Sequence, residues 1–139
     1  MTLSESNPSA DPVSPFFGRT FDETMSLLLS ARHYVANVQP GEAFQADPGE
    51  RLHMNCEAMR LTTRLAQVMA WLLAQKAVAA GEISREEVRD ERYRLGAQTL
   101  CLADTDARVS RSSVKLGDLM RQSRRLFERV SRLDSQLGV

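Results

Sequence analysis

Apolar residues recur every three to four positions between Gly49 and Ala80, a stretch with no proline and no glycine inside those limits. This spacing predicts one long helix, because positions three and four apart share a helix face. Two apolar stripes run along it on nearly opposite sides, since two residues turn a helix by about 200°. The first stripe contains Leu52, Cys56, Met59, Thr63, Ala66, Ala70, Leu73, Ala77 and Ala80, and the second contains Met54, Ala58, Leu61, Leu65, Val68 and Leu72.

A helix that is apolar on two faces either lies centrally in its own bundle or offers one face to a second chain. The second stripe supplies the candidate dimer seam, and the alternative that it lines the core of a single chain stays open. The seam consists of Leu61, Leu65, Val68 and Leu72. A polar stripe on the same helix is expected to stay in water, and it consists of His53, Glu57, Arg60, Arg64 and Gln67.

Two further helices are predicted, one on each side of the long one. Thr20 and Glu23 have the spacing of a capping box, so the first helix is expected to begin at Thr20. The sequence Gln39-Pro40-Gly41 is expected to stop it, because proline cannot donate the helical hydrogen bond. The last helix is predicted from Ser112 or Ser113 to about Gln136, with an apolar seam of Leu119, Ser123, Leu126, Val130, Leu133 and Leu137.

The connections carry weaker patterns. Gly81 is expected to end the long helix in a left-handed cap, and Ser84 with Glu87 repeats the capping-box spacing and predicts a short helix. Residues 92–111 have no clear period and are predicted to be irregular. Residues 1–15 place three prolines among polar residues and are predicted to form a disordered arm. We therefore expect an all-α fold in a single domain, 16–139: an antiparallel three-helix bundle with a long central helix and a short extra helix.

Charge is distributed unevenly along a chain whose formal net charge is zero. Residues 1–50 hold seven acidic and two basic side chains, whereas residues 108–139 hold eight basic and three acidic ones. The neutral total argues against a general nucleic-acid binder, because phosphate affinity grows with the number of Lys and Arg contacts. The candidate partner surface combines two adjacent aromatic residues with the arginines of the last helix: Phe16, Phe17, Arg121, Arg124, Arg125, Arg129 and Arg132.

No motif for a nucleotide, a metal or a covalent nucleophile is present, so no catalytic residue, metal site or cofactor is predicted. Cys56 and Cys101 lack metal-like spacing and are expected to be reduced and buried, and Trp71 is expected to anchor the core. His33 and His53 are interpreted as structural. The sequence shows no secretion signal and no apolar run long enough to span a membrane, which favours a cytoplasmic protein.

Several strings carry a resemblance to a known family. They are Ser14-Pro15-Phe16-Phe17-Gly18-Arg19-Thr20-Phe21-Asp22-Glu23-Thr24, Ala31-Arg32-His33-Tyr34, Met59-Arg60-Leu61-Thr62-Thr63-Arg64-Leu65, Trp71-Leu72-Leu73-Ala74-Gln75-Lys76-Ala77-Val78 and Gly81-Glu82-Ile83-Ser84. In combination, over about residues 14–135, the chain resembles the alphaproteobacterial regulator of CtrA degradation (RcdA) family. No single string encodes a reaction.

The resemblance implies a non-enzymatic adaptor, dimeric in the family, that helps the ClpXP protease select cell-cycle regulators. The implied partners are ClpX primed by CpdR, a PopA-like adaptor, substrate transcription regulators and a second copy of the chain, which would use the second stripe. No membrane partner is expected. Two other hypotheses remain: a DNA- or RNA-binding regulator that uses the basic last helix, and a purely structural dimeric bundle or unrecognised enzyme.

Overall fold

The computed structural model describes residues 14–105 and 107–137, and this part of the chain contains helices and turns but no strand. Three long helices form the body, and shorter helical segments connect them. The bounds are α1 Ser14–His33, a π-helical segment Tyr34–Val38, α2 Gln39–Gln45, α3 Pro48–Ala79, 3-10 turns Glu87–Arg89 and Glu91–Tyr93, α4 Gln98–Leu102, α5 Ala107–Ser112 and α6 Val114–Leu137. The prediction of an all-α bundle is confirmed.

The first helix begins earlier than the capping pattern predicted. Residues 14 and 15 already belong to α1, so the predicted start at Thr20 is wrong, while residues 1–13 of the predicted arm lie outside the described residues. Pro15 is compatible with a first helical turn, because the N–H groups of that turn have no carbonyl acceptor within the helix and the lack of an N–H costs nothing there. The Phe17 ring packs against Trp71 of α3 with centroids 5.7 Å apart, a contact that holds this turn on the bundle. Thr20 is consequently buried within the helix.

Helical structure also continues through Pro40, where a stop was predicted. The segment Tyr34–Val38 is π-helical, and the N–H of Gln39 donates to the carbonyl of Tyr34, five residues back. The wider π-helical turn accommodates proline. In it, each N–H donates to the carbonyl five residues back, and the change of partner falls where Pro40 has no N–H to donate. The chain instead leaves the helix at Ala46, and Asp47 then caps α3 in a full capping box with Glu50.

The π-helical segment begins at a buried tyrosine. The Tyr34 hydroxyl donates to Glu42 Oε1 at 2.7 Å and lies 3.3 Å from Ser113 Oγ. Burial raises the pKa of Tyr34 well above its ordinary value, and the neighbouring Glu42 carboxylate raises it further, although the Ser113 hydrogen bond acts in the opposite direction. Deprotonation of Tyr34 is therefore disfavoured in the folded chain.

This shift predicts a loss of stability at alkaline pH. The folded state holds the Tyr34 proton more tightly than the unfolded state, so the resulting stability is complete below the unfolded pKa of about 10 and declines as the pH rises above it. Tyr34→Phe should lower the free energy of unfolding by about 1 kcal/mol at neutral pH and flatten its fall above about pH 10. Urea titrations of both proteins between neutral and strongly alkaline pH measure the free energy of unfolding. Parallel pH profiles of the two proteins would contradict the role of Tyr34.

The long helices do not alternate in direction as predicted. Contacts between Phe17 and Trp71 and between Gln39 and Asn55 place α1 antiparallel to α3. The Glu23–Arg129 ion pair, together with the approach of Tyr34 to Ser113 just before α6, places α1 antiparallel to α6 as well. It follows that α3 and α6 are parallel, and the antiparallel three-helix arrangement is corrected in this respect.

The parallel arrangement requires a connection that runs back along the bundle. Gly96 donates its N–H to Gln67 Oε1, the Asp104 carbonyl accepts from Arg60, and Ser112 Oγ donates to Glu50 Oε2. The stretch from Gly96 to Ser112 thus follows α3 from its later turns to its first. Residues 92–111, predicted as irregular, include α4 and α5.

Both ends of the connection have the local chemistry that the sequence predicts. Gly81 has a positive φ of 78°, and the N–H groups of Gly81 and Glu82 donate to Val78 and Ala77, which ends α3 in a Schellman motif. Ser84 and Glu87 form the predicted capping box, followed only by 3-10 turns. At the other end, Ser113 Oγ accepts from the N–H of Leu116 and separates α5 from α6.

Candidate functional site

The second stripe of α3 faces the core of the single chain. Its predicted dimer residues Leu61, Leu65 and Val68 have no exposed surface, and Leu72 retains 2%. They pack with buried residues of α6 such as Leu126 and Phe127. The assignment of these four residues to a dimer contact is therefore corrected: the single chain already removes them from solvent, which leaves no surface for a partner.

The first stripe is the exposed one. Met59 is 70% exposed, Leu52 62% and Leu73 51%, and Cys56 is also exposed, contrary to the expectation that both thiols are buried. We name this surface the outer stripe and define it as Leu52, Cys56, Met59, Thr63, Ala66, Ala70, Leu73 and Ala77. It carries no charged side chain over about 38 Å of helix, at 1.5 Å per residue. Exposed apolar patches of this kind are common where proteins bind partners, which makes the outer stripe a candidate interaction surface.

The polar stripe of α3 is not in water as expected. Arg64 has no exposed surface and Glu57 is buried, because the connection from Gly96 to Ser112 folds over this side of the helix. Arg64 donates to the carbonyls of Cys101 at 2.6 Å, Met120 at 3.0 Å and Ala103 at 3.2 Å. One guanidinium thereby joins α3, the end of α4 and α6.

Charged neighbours surround this arginine. Burial lowers the pKa of Arg64, and the positive charge of Arg60 lowers it further. Arg60 pairs with Glu57 at 2.7 Å, and Arg124 pairs with Asp104 Oδ1 at 2.5 Å. The guanidinium still remains charged at neutral pH, because arginine titrates far above that range. The cluster holds the connection in place, and Arg124 belongs to it.

The predicted aromatic partner residues lie at the other end of the bundle. Phe16 and Phe17 are half-buried with ring centroids 6.0 Å apart, and Phe17 also packs on Trp71. Trp71 is buried as expected and donates from Nε1 to Asp134 Oδ1 at 3.0 Å. Arg94 donates to the same carboxylate oxygen, and this hydrogen bond raises the pKa of Arg94. The aromatic pair therefore contributes to packing within the chain and leaves only part of its surface accessible to a partner.

The other predicted arginines line a groove between α1 and α6. Its volume is about 750 Å³, and its lining consists of Glu23, Asp118, Arg121, Gln122, Arg125, Glu128, Arg129 and Arg132. The structure thus brings four of the five predicted arginines together and places Arg124 elsewhere. Nothing in this groove or in the other described residues groups three side chains that could hold a metal ion. Among the described helices, none is long and apolar enough to cross a membrane.

Comparison with known proteins identifies the fold and the family. A family model described as "Protein of unknown function (DUF1465)" matches residues 10–139. The chain belongs to this family. The crystal structure of RcdA from Caulobacter crescentus CB15 is 33% identical, with a TM-score of 0.69, over 87% of this chain and 89% of that chain. No functionally curated protein matches.

Membership of DUF1465, which contains RcdA-like proteins, confirms the resemblance drawn from the sequence strings. Those strings include Leu61, Leu65 and Leu72 of the second stripe and also Arg64, whose burial the polar pattern did not predict. One signal could have indicated it: Met59-Arg60-Leu61-Thr62-Thr63-Arg64-Leu65 places an arginine next to the most apolar face of the helix. The outer stripe lies on the opposite face of α3 and stays exposed in this chain.

Proposed function

We propose that this RcdA-like protein is a non-enzymatic adaptor that promotes regulated proteolysis of cell-cycle regulators by ClpXP. The observation that carries the proposal is the 33% identity to RcdA over 87% of the chain, in a shared fold. The proposed partners are ClpX primed by CpdR, a PopA-like adaptor and substrate transcription regulators. An adaptor works through surfaces, and the outer stripe and the groove between α1 and α6 are two candidates on the described part of this chain.

A reconstituted degradation reaction tests this function. The full chain serves first as bait in a lysate of a related alphaproteobacterium, with and without CpdR-primed ClpX. The enriched transcription regulators are then purified and incubated with ClpXP and CpdR. We expect the protein to accelerate their degradation severalfold. Unchanged degradation of every enriched regulator would contradict the adaptor role.

Self-association is proposed through the outer stripe. Its exposed residues recur at helical spacing without a charge, so two copies can pack them against each other along α3. The small side chains Ala66 and Ala70 permit close approach of two helices there. This assignment replaces the second stripe as the candidate dimer face.

A charge placed in the outer stripe should separate the two copies. Leu73→Glu puts an ionised carboxylate into the proposed apolar contact, and we expect at least a hundredfold weaker self-association, because an unpaired charge is costly to bury. Helical circular dichroism should stay unchanged, since Leu73 is outside the core. Sedimentation equilibrium measures the association constant.

A matched leucine on α1 provides the control. Leu29 is 58% exposed, close to the 51% of Leu73, but lies on another helix. Leu29→Glu should leave self-association within about twofold of the unmodified chain. Dissociation by Leu29→Glu, with no effect of Leu73→Glu, would move the dimer contact from α3 to α1.

A further inference from the structure

The groove between α1 and α6 contains arginines with different surroundings. Arg121 forms an ion pair with Asp118, and Arg129 forms one with Glu23 across the groove. Arg125 and Arg132 are exposed and form no ion pair with any described residue. Two guanidinium groups in one concave surface thus have no carboxylate partner within the part of the chain that the structure describes.

Helix geometry sets the spacing of these two side chains. Arg125 and Arg132 are seven residues apart in α6, which places their backbones about 10 Å apart along the same face. A peptide in the extended polyproline II conformation advances about 3.1 Å per residue and repeats its side-chain direction every three residues, so carboxylates three residues apart on such a peptide share one face and match this spacing. Each guanidinium can hold a carboxylate through two parallel N–H donors.

The composition of the groove favours an acidic peptide over nucleic acid. Its lining includes Glu23, Asp118 and Glu128, which repel a continuous phosphate backbone but leave room for separate carboxylates. None of the lining residues is aromatic, so no platform for base stacking is present, and Phe127 of α6 is buried. The chain as a whole has no net charge that would attract a polyanion.

We infer that this groove binds an extended acidic segment of a partner protein, with Arg125 and Arg132 as the two carboxylate-binding residues. The inference rests on the proposed function, because it assigns the chemistry of one partner to one surface of the adaptor. It is independent of the outer stripe, which lies on the opposite face of α3 from the core that packs against α6.

Fluorescence anisotropy with a synthetic peptide tests the inference. The probe is a labelled peptide with glutamates three residues apart in a Gly/Ser background, and the matched probe has glutamine at those positions. Each is titrated with the full chain at low and at physiological salt. We expect the glutamate peptide to bind about tenfold more tightly than the glutamine peptide, with an affinity that falls as salt rises.

Two matched double variants locate the binding site. Arg125→Gln with Arg132→Gln should weaken binding roughly tenfold, because each exposed arginine–carboxylate pair accounts for up to about fivefold. Arg111→Gln with Lys115→Gln removes the same charge from exposed positions outside the groove, and should change the affinity less than about twofold. Equal losses in the two variants would mean a nonspecific charge effect and overturn the inference.

Other results separate the groove from the adaptor function. Tighter binding of a DNA duplex that depends on the same two arginines would replace the peptide with nucleic acid as the occupant. Absence of peptide binding, together with accelerated degradation by ClpXP, would overturn the groove assignment alone. Peptide binding through Arg125 and Arg132 without any effect on degradation would retain the groove and overturn the adaptor role.

Discussion

Leu65→Ala should lower the free energy of unfolding by about 3 kcal/mol. Leu65 has no exposed surface and lies in the contact between α3 and the other long helices, so its truncation leaves a cavity and removes buried apolar area. Urea titration followed by circular dichroism measures the loss. The protein is diluted below its self-association range, because a dimer adds concentration-dependent stability.

Leu73 supplies the matched control on the same helix. Its side chain belongs to the outer stripe and is half exposed, so Leu73→Ala should change the stability of the single chain by less than about 1 kcal/mol. The two leucines therefore separate the roles of the two stripes. A larger loss at Leu73 than at Leu65, under the same dilute conditions, would reverse the assignment of core and surface.

Arg64→Ala should destabilise the chain by about 3 kcal/mol and loosen the connection along α3. The substitution leaves the carbonyls of Cys101, Ala103 and Met120 without the guanidinium donor, at about 1–3 kcal/mol for each buried group that finds no other partner. It also opens a cavity. Relief from burying a charge offsets part of this loss. Urea titration gives the total effect.

Hydrogen exchange locates the effect within the molecule. Amides from Gln98 to Ala103 should exchange much faster in the variant, while those in the middle of α1 keep most of their protection. Arg64→Lys keeps the charge but replaces the planar guanidinium donors with one ammonium. Its exchange rates for these amides should lie between those of the unmodified chain and those of Arg64→Ala. Arg51→Ala, at an exposed position of α3, is the control. Unchanged exchange in Arg64→Ala would show that the guanidinium does not hold the connection.

These two predictions depend on information at different levels. The apolar periodicity of residues 49–80 predicted the long helix with two opposite apolar stripes, and α3 spans Pro48–Ala79. The periodicity could not tell which stripe is buried, because either set of side chains could line a core. Only the positions of α1 and α6 decide that Leu65 is inside and Met59 outside. The dimer seam was therefore assigned to the wrong face.

Local chemistry was sufficient for some boundaries and insufficient for others. Gly81 ends α3, Ser84 forms a capping box with Glu87, and α6 begins after Ser113, all as predicted, because caps depend on hydrogen bonds within one or two turns. The short helix predicted after Ser84 is reduced to 3-10 turns. Pro40 did not stop the helix, since a π-helical segment and the buried hydrogen bonds of Tyr34 hold the backbone there. Asp47 was missed as the cap of α3 although aspartate is a good capping residue.

The sequence by itself determined the helical class, the extent of α3 and α6, the apolar faces of both helices and the family. The tertiary structure decided which faces meet, the parallel direction of α3 and α6, the burial of Arg64 and the position of Glu23 of α1 beside the arginines of α6. The physical reason is range. Helical periodicity and caps arise from residues within a few positions of each other, whereas burial depends on whichever distant segment covers a face. Residues 96–112 cover Arg64, and their own pattern gave no sign of where they would pack.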